Sequence, residues 1–433
     1  MKRLITDKLL AWKNSPSRQP LLLKGARQVG KTFVLLEEFG KKYYDNVVYF
    51  HFEGNSDALH RIFEPDLDPK RIVGELSAYA KQSILPGRTL IFFDEIQACE
   101  KALTSLKYFC EEAPEYHVVA AGSLLGLAVN RGHYSFPVGK VDMMTMYPLT
   151  FEEFLLATGN EPLIAKIREA YATFSPLPEV YHELALGLYR KYLVIGGYPA
   201  AIKAYQETEN YDAVRAVQAD ISEAYIADMA KYALPNETVR GIAVFNTLPS
   251  QLAKENSKFQ YAVVRSNARA KDYELSLMWL KTANVVLESV KVTEAKLPLS
   301  VYEQADSFKI YFSDVGLLCL KSGTMPQDVL VNSALSDRAR GLLADNYVAE
   351  QLAASGHKLN YWESNGKAEV DFVLRLDDSA IPLEVKSADN VRSRSLRLFV
   401  EKYAPAYTVR LSAKNFGFEN GIKSVPLYAL FCI

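Results

Sequence analysis

The feature that most constrains this chain is a glycine-rich octet, Gly25–Thr32, which reads GARQVGKT. It follows the apolar run Pro20–Lys24 and precedes Phe33–Glu38, which has the pattern of a helix. The alternative is a glycine turn with an accidental Lys-Thr pair, but such a turn would not have to lie between a strand and a helix. Because G-x-x-x-x-G-K-[ST] at a strand-to-helix turn is the signature of a phosphate-binding loop, the sequence predicts a P-loop fold built around this turn.

The residue types of the octet suit the binding of a di- or triphosphate such as ATP. Gly25 and Gly30 allow the backbone to curl, so that successive N–H groups and the dipole of the following helix face the phosphates. Lys31 is expected to contact the β- and γ-phosphates, and the Thr32 hydroxyl to bind Mg²⁺. The predicted nucleotide-binding residues are Gly25, Ala26, Arg27, Gln28, Val29, Gly30, Lys31 and Thr32.

A second motif, Thr89–Glu95, is an apolar run that ends in Asp94 and Glu95. This is the pattern of a Walker B strand, whose end lies beside the phosphate-binding loop. Asp94 is expected to orient Mg²⁺ through its water ligands, and Glu95 to polarise the attacking water. An acidic pair that merely ends a strand is the alternative, but the phosphate-binding loop upstream favours the catalytic interpretation.

Three further apolar runs complete a predicted parallel sheet. They are Val47–Phe52, His117–Ser123 and Val141–Tyr147, and helical stretches separate them. Strands that alternate with helices form a parallel sheet with the ligand at its carboxyl edge. We therefore expect an α/β core that closes near residue 150.

Length and composition limit the other possibilities. At 433 residues the chain is too long for one core, so about three domains are expected. The 50 basic and 51 acidic residues nearly cancel, so nucleic-acid affinity has to come from local patches. Four cysteines without C-x-x-C spacing argue against a zinc site and for a reducing, cytoplasmic setting. No signal peptide is recognised and no run approaches the roughly 18 apolar residues that cross a bilayer, so no membrane partner is expected.

The middle of the chain is predicted to be helical. Apolar residues recur at helical spacing in Phe151–Leu155, Val180–Lys191 and Ala213–Tyr232. The Gly196-Gly197 turn among these segments is either a hinge or a plain helix-breaking turn. From residue 236 to 300, three helical segments precede the strand-like run Ala283–Val290, which is the order of a winged helix.

Basic residues are concentrated just before the last of these helices. Residues 251–271 include one acidic residue, Glu255, and five basic residues: Lys254, Lys258, Arg265, Arg269 and Lys271. This excess suits contacts with phosphates near a recognition helix. Winged helices of ATPases also serve as protein–protein modules, so double-stranded or branched DNA and a protein partner are both candidate ligands.

The tail contains a second candidate site. Asp371 lies in the run EVDF, and Glu384 and Lys386 lie two apart in LEVK. Alternation along a strand puts Glu384 and Lys386 on the same face. We expect Asp371, Glu384 and also Glu350, from the helical stretch Arg340–Ser355, to hold Mg²⁺, and Lys386 to position the attacking water or steady the developing charge. E-x-K alone is a common strand pattern, whereas the upstream aspartate makes the set more specific.

The order of elements in the tail resembles the PD-(D/E)xK nuclease core, including its resolvase-like branch. This resemblance implies that Asp371, Glu384 and Lys386 are catalytic. Val370 stands where the motif has proline, so a remnant that binds without cleaving is an open alternative. The basic residues that follow either contact nucleic-acid phosphates or form a solvated helix face: Arg392, Arg394, Arg397 and Lys402.

Five motifs in order, GARQVGKT, LIFFDEIQ, AAGSLLG, FPVGKV and YPLTFEEFL, resemble the bacterial and archaeal AAA-type ATPases that have a C-terminal domain of unknown function. The resemblance implies an α/β multidomain fold. Its expected parts are a P-loop ASCE/AAA-type core with a parallel sheet (1–155), a helical lid (156–232), a winged-helix-like domain (233–305) and an α/β restriction-endonuclease-like domain (306–433).

Two further roles follow from the resemblance to the AAA type. Ser123 occupies the position of a sensor that hydrogen-bonds the γ-phosphate or the lytic water, although Gly-Ser after a strand is also ordinary turn chemistry. Arg131, Lys140 or a residue from another subunit of a homo-oligomer is a candidate arginine finger, and surface charge is the other interpretation of the first two.

Two functional hypotheses result. In the first, an ATPase couples ATP binding and hydrolysis to metal-dependent cleavage of nucleic acid. In the second, an ATP-dependent switch or regulator uses its tail only to bind DNA or a protein. Both hypotheses require ATP and Mg²⁺.

Overall fold

A computed structural model describes residues 1–54, 57–122, 137–233, 235–254, 258–331, 335–364, 366, 368–386 and 394–433. Its internal contacts define two compact units. The first contains Met1–Tyr147 with Thr282–Asn284, and the second contains Pro148–Lys281 and Val285–Ile433. Each unit has its own sheets and helices.

The first unit is built on one five-stranded sheet. Its strands are β1 (Leu21–Lys24), β2 (Asn46–His51), β3 (Thr89–Asp94), β4 (His117–Gly122) and β5 (Asp142–Thr145). They are ordered β2-β3-β4-β1-β5, and every neighbouring pair is parallel. All residues of β3 and β4 are buried, as expected for central strands of a sheet covered on both faces. The predicted parallel α/β core is confirmed.

Six α-helices accompany this sheet in the part of the first unit that the structure describes. They are α1 (Ile5–Asn14), α2 (Lys31–Phe33), α3 (Lys41–Tyr43), α4 (Asp57–Arg61), α5 (Pro69–Ala80) and α6 (Glu100–Glu112). A π-helical segment, Val34–Gly40, joins α2 to α3. The start of α5 is fixed by the Asp68 side chain, which accepts a hydrogen bond from the Lys70 N–H.

The second unit is mainly helical in its first half. The helices described in the whole second unit are α7 (Phe151–Ala157), α8 (Glu161–Thr173), α9 (Glu179–Ile195), α10 (Pro199–Thr208), α11 (Tyr211–Tyr232), α12 (Pro235–Leu252), α13 (Tyr261–Val264), α14 (Ala270–Thr282), α15 (Val315–Lys321), α16 (Pro326–Val331), α17 (Asp337–Ala354) and α18 (Arg394–Tyr403). Thr150 and Glu153 form a capping box at the start of α7. The three helical segments predicted for the middle of the chain lie within α7, α9 and α11.

Two sheets complete the second unit. Their strands are β6 (Val286–Val292), β7 (Glu303–Phe312), β8 (Asn360–Glu363), β9 (Glu369–Val370), β10 (Phe372–Leu376), β11 (Ser379–Lys386), β12 (Thr408–Ser412), β13 (Gly417–Glu419) and β14 (Ile422–Pro426). One sheet has the order β7-β6-β8-β9, and the other has the order β10-β11-β12-β14-β13. Helix α17 packs against β7 and β11, and α18 packs against β9 and β11.

The four predicted domains remain a prediction, and two of their limits can be compared with the elements of these units. Helix α7, which the sequence places in the ATPase core, belongs to the second unit, since the first ends at Tyr147. The predicted limit between residues 305 and 306 falls inside β7. Strand β6, the predicted wing strand, pairs with β7 and also with β8 of the tail. Local patterns identify β6 as a strand but carry no information about a partner some 70 residues away.

None of the helices in the described ranges is both long enough and apolar enough to cross a membrane.

Candidate functional site

The phosphate-binding loop begins where β1 ends. Gly25 has φ 155°, and a Cβ atom there would lie 2.2 Å from the carbonyl oxygen of Met146. Gly30 has φ 95°, in the left-handed region that side chains rarely adopt. The chain therefore needs glycine at both glycine positions of the motif: Gly25 for the close approach of the backbone and Gly30 for its conformation.

Lys31, at the start of α2, is 7% exposed and turns back over the loop. Its Nζ donates hydrogen bonds to the carbonyl oxygens of Gly25 and Ala26, at 2.9 Å each. Arg3 supports the same loop, because its Nη1 donates to the carbonyl oxygen of Val29 at 2.8 Å. No local pattern around Arg3 indicates this contact, and sequence reasoning missed it.

The end of β3 meets the loop as the two motifs predict. The Thr32 hydroxyl donates to Asp94 Oδ2 at 2.8 Å, and Asp94 is 4% exposed. Tyr49, on the neighbouring strand β2, also donates to Asp94 Oδ2, at 3.0 Å. Tyr49 is the register partner of Phe92, so the pairing of β2 with β3 puts its side chain on the face of the sheet that carries Asp94. Thr32 and Asp94 thus supply two adjacent hard oxygen ligands, and the cation Lys31 precedes Thr32 in the chain.

Glu95 follows Asp94 in a left-handed conformation, with φ 49°. Its carboxylate accepts a hydrogen bond from Gln97 Nε2 at 2.5 Å. A non-glycine residue held in this region costs about 1–3 kcal/mol, and such residues cluster at functional sites. The backbone turn separates the direction of the Glu95 side chain from that of Asp94, which suits two carboxylates with different roles.

The other predicted ATPase residues are only partly described. Ser123 and Arg131 lie outside the described residues. Lys140 forms an ion pair with Glu111 at 2.9 Å, with both side chains partly exposed. This contact matches the surface-charge interpretation of Lys140.

In the tail, the structure brings together Asp371, Glu384 and Lys386. Asp371 Oδ2 accepts a hydrogen bond from the backbone N–H of Val385 at 2.8 Å. Lys386 Nζ and Glu384 Oε1 are 2.6 Å apart, on the same face of β11 as predicted. Burial, and then the charge of Glu384, raise the pKa of Asp371 to about 6. These contacts place two carboxylates and one ammonium within one cluster.

The prediction that Glu350 joins this cluster is corrected. Its Oε2 accepts a hydrogen bond from the Val315 N–H at 2.6 Å, and its pKa is raised by burial and by Asp314. Asp345, on the same helix, is instead the residue in electrostatic contact with Asp371 and Lys386. Five residues along a helix correspond to a rotation of about 140°, so Asp345 and Glu350 face different sides of α17.

Two more charged residues border the cluster and were not predicted. Lys309, on β7, is 2% exposed and forms an ion pair with Glu369 of β9. Burial acts to lower the pKa of Lys309, but Tyr311, Glu369 and Asp371 outweigh it and raise that pKa. The signal in the sequence is a lysine within the apolar strand FKIYF. Within the described ranges, no group of three or more His, Cys, Asp or Glu side chains is spaced to hold a metal ion.

The Gly196-Gly197 turn is packed rather than open. The N–H of Gly197 donates to Asp314 Oδ2 at 2.6 Å, and a Cβ on Gly197 would lie 2.1 Å from the carbonyl oxygen of Leu149. Asp314 is fully buried, and burial raises its pKa to about 6. These contacts favour a structural turn over a hinge.

Three family matches cover separate stretches of the chain. Residues 17–155 match the AAA domain family. Residues 186–328 and 340–430 match two families described as domains of unknown function, DUF8612 and DUF4143. A search of curated proteins finds no significant match.

Several solved structures align with much of the chain at low identity. A Walker-type ATPase of Pyrococcus abyssi is 13% identical, with a TM-score of 0.46, over 74% of this chain and 95% of that chain. The ORC2 protein of Aeropyrum pernix is 12% identical, with a TM-score of 0.36, over 77% and 93%. Cdc6p of Pyrobaculum aerophilum is 14% identical, with a TM-score of 0.26, over 77% and 96%.

The AAA match, the parallel strand order and the contact between the two motifs agree with one another. Residues 17–155 therefore match the AAA domain family and contain the parallel sheet expected of a P-loop domain.

Proposed function

We propose that this protein binds ATP with Mg²⁺ and hydrolyses it in its first unit. The observation that carries the proposal is the 2.8 Å contact between the Thr32 hydroxyl and Asp94 Oδ2. These groups come from two motifs 62 residues apart and meet at the carboxyl edge of the sheet. A hydroxyl and a carboxylate are ligands that suit Mg²⁺.

The residues of this site have separate tasks in the proposed reaction. The loop N–H groups and Lys31 hold the phosphates, and Lys31 exchanges its bonds to the loop carbonyls for bonds to phosphate oxygens. Thr32 and Asp94 would hold Mg²⁺, which supplies charge neutralisation when bound. Glu95 accepts a proton from the attacking water, and Gln97 orients its carboxylate. Tyr49 donates a second hydrogen bond to the same oxygen, Asp94 Oδ2, and so helps to hold the Asp94 side chain in place.

Two variants test these assignments. Lys31→Ala should lose nucleotide binding, measured with a fluorescent ATP analogue. Glu95→Gln should bind that analogue with near wild-type affinity and hydrolyse ATP at least about a hundredfold more slowly, because general-base catalysis contributes roughly 10²–10⁴. Equal turnover in Glu95→Gln and wild type would refute its role as the base.

A second proposed activity is nucleic-acid cleavage by the tail, and the cluster of Asp371, Glu384 and Lys386 supports it. Asp371 and Glu384 would hold Mg²⁺ or Mn²⁺ together with water ligands, because no three acidic side chains of the described residues are spaced to hold the ion directly. Asp345, from the helix, would act on the ion through one of those waters, and the bound metal would polarise a phosphodiester. The test is cleavage of plasmid and branched DNA by wild type, Asp371→Ala and Lys386→Ala. Cleavage that is lost in both variants supports a nuclease, and no cleavage of any substrate favours the switch or regulator.

The basic segment before α14 is the proposed DNA contact of the winged-helix-like region. Arg265 and Arg269 are exposed there, and Lys271, in the first turn of α14, is exposed as well. Reversal of Arg265 and Arg269 to Glu should abolish a salt-dependent shift of a double-stranded probe. An unchanged shift, or none in wild type at low salt, would leave a protein partner as the ligand of this region.

A further inference from the structure

A cavity of about 670 Å³ lies in the tail between α18 and the strands β12 and β14. Its apolar floor includes Leu396 and Ile422, and three arginines line it: Arg394, Arg397 and Arg410. Its volume falls within the range of small-ligand sites, about 300–1,000 Å³. None of the residues assigned to ATP or to the acidic cluster lines it.

The three arginines of the cavity have no ion-pair partner among the described residues. In the described part of the chain, none of the three guanidinium groups makes an ion pair or a hydrogen bond, and Arg410 Nε is buried without a partner. Glu401 is the acidic residue among the lining residues described. Three arginines and one glutamate give this lining a net charge of +2. Arg394 and Arg397 are exposed, whereas Arg410 Nε is a buried donor without an acceptor. Because an unpaired buried donor is costly, this lining suits an anion.

A second polar side chain lines the same cavity. Thr408 is 2% exposed, lines the cavity, and its Oγ1 has no hydrogen-bond partner. Thr408 and Arg410 are two apart on β12 and therefore face the same side of the sheet. A hydroxyl donor and a guanidinium fork on one face of the sheet are groups that suit the oxygens of a phosphate.

We infer that this cavity binds a terminal phosphate monoester, carried either by a free nucleotide or by the 5′ end of a nucleic-acid strand. A phosphate monoester has a charge of about −1.5 to −2 near pH 7, which balances the +2 lining. Arg410 is the register neighbour of Glu384 on β11, so a phosphate held here lies on the face of the sheet that contains the acidic cluster. The inference rests on the proposed nucleic-acid role only for the second source.

The test measures binding to the full chain in a Lys31→Ala background, which removes the P-loop site. The probes are AMP, a 5′-phosphorylated eight-nucleotide DNA and the same DNA with a 5′ hydroxyl. Arg397→Gln and Arg410→Gln should each weaken binding of the phosphorylated probes about tenfold, the usual loss for a charged hydrogen bond. Lys414→Gln removes the same charge from an exposed position after β12, outside the cavity, and should bind as the parent does.

Thr408→Val separates recognition from folding. Valine keeps the shape and removes a hydroxyl that has no protein partner, so the melting temperature should stay equal or rise while binding weakens about fivefold. AMP and the phosphorylated DNA binding equally would assign a free nucleotide, and tighter binding of the DNA would assign a strand end. Equal binding of the 5′-hydroxyl DNA, or equal losses in Lys414→Gln and Arg410→Gln, would overturn the inference. Because neither ATP turnover nor cleavage is measured, its failure is distinct from that of the proposed function.

Discussion

Replacement of Gly25 by alanine tests the physical basis of the phosphate-binding loop. The new Cβ would lie 2.2 Å from the Met146 carbonyl oxygen and 3.2 Å from its carbon. Both are backbone atoms of the segment that follows β5, so relief needs the main chain to move by more than about 1 Å to reach ordinary contact. That movement breaks the hydrogen bond from the Met146 N–H to the Lys24 carbonyl, which is 2.8 Å long.

The expected cost follows from three contributions. The lost backbone hydrogen bond is worth about 1 kcal/mol, the overpacking about 1–3 kcal/mol, and a non-glycine residue at φ 155° about 1 kcal/mol or more. The variant should therefore be destabilised by about 3–5 kcal/mol in its first unit. Nucleotide affinity should fall with it, because the loop N–H groups move with Gly25.

Gly74→Ala is the matched control. Gly74 is an exposed residue inside α5, and a Cβ there would meet no atom within 4 Å. The same chemical change should stabilise this variant by roughly 0.5–1 kcal/mol, because alanine favours the helix. The assay combines thermal melting with hydrogen exchange in peptides covering residues 20–30 and 140–148. Wild-type melting and slow exchange in Gly25→Ala would refute the reasoning.

Three other perturbations address the second unit. Asp314 has a pKa of about 6 in the folded state, against an ordinary value of 3.8. Its contribution of about 3 kcal/mol to the free energy of unfolding is therefore present below pH 4 and lost as the pH rises through 6. The fall in urea stability between pH 4 and 7 should be smaller in Asp314→Asn by that amount, and equal falls would contradict it. Asp345→Asn should weaken Mn²⁺ binding by the tail in calorimetry, whereas Glu350→Gln should leave that binding unchanged; the reverse result would restore Glu350 to the cluster. Lys309→Met should lower the urea stability by roughly 2 kcal/mol, because it leaves the partly exposed Glu369 without its cation, and no change would show the ion pair to be neutral.

The geometry of the candidate nucleotide site could be predicted from the sequence because each of its two motifs is a short run of consecutive residues. Seven consecutive residues of β3 and its end specify both a buried strand and two carboxylates at its edge. The octet specifies a turn that glycine must make, followed by a helix start. Once both motifs are assigned to parallel strands, their carboxyl ends must meet at one edge of the sheet, and the Thr32–Asp94 contact follows.

In the tail, local sequence predicts contacts within one strand but not contacts between a helix and the sheet. Strand alternation correctly paired Glu384 with Lys386, since both lie on one element. The choice between Asp345 and Glu350 depends on how α17 is rotated against the sheet, and both residues lie on the same predicted helix. The hydrophobic pattern of α17 is weak as a guide, because its residues are buried nearly all round from Leu342 onward.

The sequence by itself determined the phosphate-binding loop, the acidic strand end and the alternating α/β pattern, because each is set by residues close together in the chain. Tertiary structure alone decided that Tyr49 and Arg3 support the nucleotide site, that β6 joins the strands of the tail, and that Asp345 and Lys309 border the acidic cluster. The physical reason is that the spacing of residues along the chain determines the local backbone conformation and the face of the helix or strand on which each side chain lies. Which faces of two distant elements come into contact is determined by packing across the whole unit.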